Sequence, residues 1–131
     1  MEPSTDMHER ERGQAAAEFA ICLPVIAMLL MAIISYGQMI WADMELTTAT
    51  RDGARRAAVS RTDPNPAASV KSTVLTSLDT TNPGDVTVTV AGAWQADNKI
   101  TVTATRPWSL DIMGIEMWNG NLSSVSTVRI G

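Results

Sequence analysis

The sequence predicts an α+β fold: a long N-terminal helix packed on a small antiparallel β-sheet of about three strands, with a short second helix between them. Three observations carry this. No charged residue stands between Phe19 and Ala42. Residues 86–90 and 100–105 alternate apolar with hydroxyl side chains, the period-two pattern of strands with one buried face. Between these regions, Asp63-Pro-Asn-Pro66 closes one helix and opens another, because each proline disfavours the helical conformation of the residue before it.

The long helix comes first. At the helical rise, its uncharged run reaches about 36 Å, enough to cross a hydrocarbon core of about 30 Å once with a slight tilt. After Pro24 no proline occurs until Pro64, and Ala, Leu, Met and Ile dominate, so the helix is expected from Gln14 to about Ser60, roughly 70 Å. Pro24 has no N–H for the carbonyl of Ala20 and its ring crowds that turn, which predicts a kink. Tyr36 and Trp41 fall where the apolar run ends, as interfacial aromatics do. Beyond it, Ala42, Leu46, Ala49, Gly53 and Ala57 form a stripe of small and apolar residues that permits close approach, either of the chain's own domain or of another subunit. Asp52 and Arg56, four apart with the acid first, suit a surface pair.

Asn65 is placed to cap a short helix with Pro66 in its first turn and Val70, Val74 and Leu78 on one face. Asn82-Pro-Gly-Asp85 reads as a turn. Val86–Val90 and Ile100–Thr105 are the first two strands, joined as a hairpin. Trp118-Asn-Gly-Asn121 reads as a second turn, leading to a third strand from Leu122 to Ile130 that presents Leu122, Val128 and Ile130 to the same core. The stretch from Pro107 to Trp118 is apolar without a steady period and is expected to separate the second and third strands, with Trp108 and Trp118 partly buried or in contact with a partner.

Composition narrows the function classes. The 131 residues leave room for one membrane helix and one small domain. A net charge of −4 implies no broad basic surface, and Arg51, Arg55, Arg56 and Arg61 are interleaved with acids and alanines without aromatic partners, so no nucleic-acid partner is expected. The single histidine, His8, has no second ligand at useful spacing, and Asp85, Asp97, Asp111 and Glu116 lack calcium-loop spacing; no metal or cofactor is expected. The single cysteine, Cys22, lies within the apolar run and reads as a small apolar core residue. With no nucleophile–base set and no glycine-rich phosphate loop, an enzyme is not expected.

The polar stretch Met1–Arg12 lacks apolar periodicity and is expected to be disordered and cytoplasmic. It ends on Gly13, and Glu18 stands at the mouth of the apolar run, where a carboxylate is costly unless paired or neutralised. Glycine, four residues, Glu-Phe and a long apolar helix resembles the type IV prepilins. With Pro24, Tyr36-Gly37 and Arg51-Asp-Gly-Ala-Arg-Arg-Ala-Ala-Val59, the first sixty residues are similar to the TadE-like pseudopilins, or minor pilins, of tight-adherence (Flp, type IVc) pili.

That resemblance implies a pilin-like domain and a structural role in pilus biogenesis. A prepilin peptidase would cut between Gly13 and Gln14, leaving Glu18 and Phe19 as the fifth and sixth mature residues that set assembly register. Pro24 would be the site of helix extension, and Arg51, Gly53, Ala54 and Arg55 the family signature. The implied organisation is a cytoplasmic leader (1–13), a transmembrane helix half (14–42) and an extramembrane domain (43–131) outside the inner membrane. Its implied partners are the peptidase, other pilin or pseudopilin subunits and inner-membrane pilus assembly proteins. Arg10 and Arg12 on the leader side are outnumbered by the arginines after the run, so charge counting alone opposes the orientation that the motif requires. Two other readings use the same segment: a single-pass anchor displaying an extracellular binding module, and a secretory signal peptide. The latter fits poorly with so long an apolar stretch and with Glu18 inside it.

Overall fold

The computed structural model describes residues 4–78, 85–112 and 114–131, with side chains from Gly13 onward. Its elements are α1 (Ser4–Val59), α2 (Pro66–Ser77), β1 (Thr87–Ala91), β2 (Lys99–Ile112) and β3 (Ile115–Arg129). The strands form one antiparallel sheet in the order β1-β2-β3. This is the expected α+β arrangement of a long helix, a short helix and three strands.

α1 runs 56 residues, about 84 Å, and is continuous through Pro24. It begins at Ser4, not at Gln14, so the expected disorder of residues 4–12 is corrected: Glu9, Arg10, Glu11 and Arg12 are strong helix formers that extend a helix already nucleated downstream. It ends at Val59, where Ser60 donates its hydroxyl to the Arg56 carbonyl at 2.6 Å and its N–H to the Ala57 carbonyl at 3.2 Å. In α2 the Asn65 side chain accepts from the Ala68 N–H at 3.2 Å, with Pro66 in the first turn, as the sequence predicts.

The two helices lie on one face of the sheet. Their core contains Ala42, Leu46, Ala49, Ala54 and Ala57 from α1 and Val70 and Val74 from α2. Val88, Ile100, Val102, Ala104 and Leu122 meet them from the sheet, with Ile130 closing the edge. The small-residue stripe therefore packs within the chain's own domain. A Cβ on Gly53 would collide with Val74 Cγ2 and lie 3.5 Å from Val102 Cγ1 and 3.6 Å from Val70 Cγ1. The absence of a side chain here lets α2 and β2 approach the α1 backbone.

The β1–β2 connection is a hairpin loop, as expected. Gly92, at φ +132°, sits where a Cβ would strike the Lys99 carbonyl, and Asp97 adopts φ 72°. The loop is tied to the end of β3: Asp97 N–H donates to the Ile130 carbonyl and Ile130 N–H to the Asn98 carbonyl, both at 2.9 Å. The expected turn at Asn82-Pro83-Gly84 lies outside the described residues.

The largest departure from expectation is at the far end of the sheet. Pro107–Trp118 does not separate the strands and Trp118–Asn121 is not a turn. Both belong to a hairpin arm in which Pro107 pairs with Asn121, Trp108 with Gly120, Ser109 with Asn119 and Leu110 with Trp118. Two local facts permit this. β1 stops opposite Thr105, so one side of β2 is open at Pro107, where a proline is tolerated. The Trp118 ring lies across Gly120 and covers the backbone that the glycine would leave bare.

Candidate functional site

The motif residues lie on a helix that nothing covers. Between Gly13 and Leu30 every residue is exposed, and no residue of the helix's most apolar window is buried. This is one helix long and apolar enough to cross a membrane once. Large apolar side chains stand out all round it, including Phe19 at 61% exposure, Ile21 at 76% and Ile33 at 64%. Such a helix is a membrane span or a packing surface, because water alone would not tolerate it. Cys22, expected to be a core residue, is exposed on the same bare segment.

Gly13 has no neighbour within 4 Å where a Cβ would point, and it lies within the continuous helix. One turn on, Gln14 Nε2 donates to Glu18 Oε1 at 3.3 Å. Among the described residues, this weak exposed bond is the hydrogen bond that the Glu18 carboxylate makes. Phe19 projects beside it. The structure thus brings Gly13, Gln14, Glu18 and Phe19 onto adjacent turns of one free helix.

The signature block divides by face. Gly53 and Ala54 are buried against α2 and the sheet, while Arg51 and Arg55, one turn apart, are exposed. The expected Asp52–Arg56 pair does not form. Arg56 instead reaches forward, donating from Nε to Ser69 Oγ at 2.9 Å and from Nη2 to Asp63 Oδ2 at 3.0 Å. It clamps the link between the helices. The chain reverses after Val59, which brings Asp63 and Ser69 within reach, and no helical periodicity could show that.

Sequence reasoning also missed Glu45 and Arg106. Arg106 Nη1 lies 3.8 Å from Glu45 Oε2, with the two side chains 23% and 15% exposed. Glu45 Oε1 is buried without a hydrogen-bond partner, and the residue also lines an open groove of about 400 Å³ with Trp41, Met44, Thr48 and Ser77. A second groove, about 310 Å³, is lined by Tyr36, Met39, Ile40, Asp43 and Leu122. Among the described residues, no group of three or more His, Cys, Asp or Glu could hold a metal ion.

Residues 13–55 match the model of the family described as TadE-like protein, from the glycine before Gln14 to the last arginine of the Arg51–Arg55 block. No curated protein and no solved structure matches the chain. The matched segment comprises the bare apolar helix together with the buried Gly53-Ala54 step that seats it on its domain. Over residues 13–55 the chain carries a TadE-like region.

Proposed function

We propose that this chain is a minor pilin or pseudopilin, a structural subunit in the biogenesis of tight-adherence pili. The observation that carries the reading is that the family match opens on Gly13 and takes in Glu18 and Phe19 on an uncovered apolar helix. Residues 1–13 are its cytoplasmic leader, 14–42 its membrane-spanning helix half and 43–131 its domain outside the inner membrane. A prepilin peptidase cuts between Gly13 and Gln14.

The cut exposes a new α-amino group at Gln14. In the low-dielectric membrane, Glu18 of one subunit pairs with that group on its neighbour, and the pair sets axial register as subunits join. Such a pair offsets its desolvation cost only in good geometry, so it discriminates between registers more than it stabilises. Pro24 is the point at which α1 extends during assembly. The partners are the peptidase, other pilin or pseudopilin subunits and the inner-membrane assembly proteins.

The test is the N-terminal sequence of membrane-extracted protein produced with and without a prepilin peptidase. A start at Gln14 only when the peptidase is present is expected. An uncut leader in both samples would overturn the reading in favour of a plain anchor displaying a binding module.

A further inference from the structure

We propose that the bare face of α1 around Gly37 docks against the same face of a second copy of this chain, the two helices crossing there just above the hydrocarbon of the membrane. The inference rests on the reading of α1 as a membrane span. Two observations set the level of this face. A Cβ on Gly53 would lie 3.5 Å from Val102 Cγ1, and Arg106 faces Glu45 at 3.8 Å, so β2 runs along α1 toward the helix N-terminus and the hairpin arm continues that way. On α1 every residue from Gly13 to Met31 is exposed, whereas Ala32, Ser35 and Met39 are half-buried.

The arm ends on charge. Asp111 and Glu116 stand opposite each other near its tip, and both are exposed. Two carboxylates and the open backbone edges of a hairpin are kept out of hydrocarbon, so the apolar layer ends near Met31, below the point at which α1 gains its cover. Residues 14–31 reach about 27 Å, close to a hydrocarbon thickness of about 30 Å. The first part of the membrane-spanning half of α1 thus fills the hydrocarbon, and the helix from Ala32 onward emerges beside the arm. Ile33, Tyr36, Ile40, Trp41 and Met44, between 45% and 75% exposed, then stand above the lipid chains that would otherwise cover them. With lipid excluded, an apolar surface of this kind marks a protein contact.

The face points away from the sheet. At 3.6 residues per turn, Ile33, Gly37, Ile40 and Met44 recur at four- and three-residue intervals on the side of α1 opposite Met39, Ala42 and Leu46, which pack into the domain. Gly37 interrupts this apolar row, and among the described residues nothing lies within 4 Å of where its Cβ would be. Glycine weakens a helix interior, and here the chain's own packing does not use its small size, in contrast to Gly53, whose missing side chain leaves the space that Val74 fills. The gap between Ile33 and Ile40 admits the backbone of another helix, with those side chains packing around it. The row carries no charge, so it selects an apolar helix held at the same depth. A second copy inserted in the same direction supplies one, and a two-fold axis along the membrane normal sets the two rows face to face. Above the row the same side of α1 bears Arg51 and Arg55, both exposed. Like charges oppose a continuous seam, so the helices cross at Gly37 and splay above it, which keeps the arginines of the two copies apart.

The test crosslinks single cysteines in the full chain, on a Cys22→Ala background, in phosphatidylcholine vesicles that hold this chain alone. Ile33→Cys and Ile40→Cys are expected to give a disulfide-linked dimer on oxidation, and Arg51→Cys roughly fivefold less or weaker still. Adding Gly37→Leu to Ile40→Cys is expected to cut the dimer by about fivefold or more without lowering the unfolding midpoint, because in the single chain the new side chain enters open space. Equal crosslinking with and without Gly37→Leu, or from Arg51→Cys as from Ile40→Cys, overturns the crossing. Should Gly37→Leu unfold the chain, the contrast between Ile40→Cys and Arg51→Cys decides by itself. No dimer in vesicles overturns the self-contact, and a crosslink to a different protein in cells then assigns the face to another subunit. A chain that alkaline carbonate washes off the vesicles overturns the membrane span, and this contact with it. The contact needs no cleavage, so a dimer whose leader no peptidase removes leaves it standing while the pilin reading falls.

Discussion

Arg106 Nη1 of β2 stands 3.8 Å from Glu45 Oε2 of α1, joining the sheet to the helix just beyond the apolar run. Both side chains are mostly buried, and the second oxygen of Glu45 has no hydrogen-bond partner. Removing the cation strands a partly desolvated carboxylate. Arg106→Leu is expected to cost about 1–3 kcal/mol, and the double variant Glu45→Met/Arg106→Leu to recover most of it. A double-mutant cycle by urea unfolding of the full chain in detergent checks this. Equal losses in the single and double variants would mean that the arginine packs against the helix without pairing.

Gly53 makes the opposite kind of contact, one defined by the absence of atoms. Alanine there would gain about 1 kcal/mol of helix propensity, but its Cβ would overlap Val74 Cγ2, and overpacking of a filled core costs about 1–3 kcal/mol. Val74 is fully buried and its β-branched side chain is stiff, so it cannot simply turn aside. Gly53→Ala is therefore expected to lower the unfolding midpoint, and adding Val74→Ala to restore part of it. A midpoint raised by Gly53→Ala alone would show that the α1–α2 seam is looser than its geometry.

Much of this architecture could be read from residue order, because the decisive signals are local. The Pro64 and Pro66 breaks, the Asn65 cap and the alternation in Val86–Val90 and Ile100–Thr105 act within a few residues of themselves. The Gly53 stripe likewise declared itself by spacing, though not the partner that fills it. The hairpin arm was obscured because Pro107–Trp118 reads as apolar without a steady period and Trp118-Asn-Gly-Asn121 as a turn. The alternation of Trp108, Leu110 and Ile112 with Ser109 and Asp111 was nevertheless present. Only the pairing with β3 shows that the proline falls beside an open edge and that Trp118 covers the glycine. Arg56 with Asp63, and Glu45 with Arg106, depend on chain reversal and on long-range docking, which no period reports. At Gly13, Gln14, Glu18 and Phe19 the order of residues carried everything, because there the structure adds only a bare helix.

Gly92 closes the first hairpin in a conformation open to few residues. Its φ is +132°, and a Cβ would strike the Lys99 carbonyl, which is backbone and cannot step aside. Gly92→Ala is expected to cost about 2 kcal/mol or more, the combined effect of a disfavoured backbone region and a clash. Thermal unfolding of the full chain in detergent measures it. A shift no larger than that of an ordinary surface substitution would show that the loop relaxes into another conformation.

Glu18 allows stability and assembly to be separated. Among the described residues its hydrogen bond is the exposed 3.3 Å one from Gln14, so Glu18→Gln should change unfolding by no more than about 0.5 kcal/mol. If Glu18 pairs with the α-amino group of a neighbour's Gln14, that variant should be cut normally yet be recovered with partner pilin subunits far less than the native chain. The amine exists only after cleavage, which supplies a second condition. In a chain whose Gly13 is replaced so that the leader stays on, Glu18→Gln should have no further effect on recovery, because the group it would have met was never formed. Recovery in crosslinked membrane extracts, measured for both single variants and the double, gives the coupling directly. A Glu18→Gln chain that is processed and recruited like the native one rules out the pairing, and independent losses in the two single variants place the role of Glu18 somewhere other than on the new N-terminus.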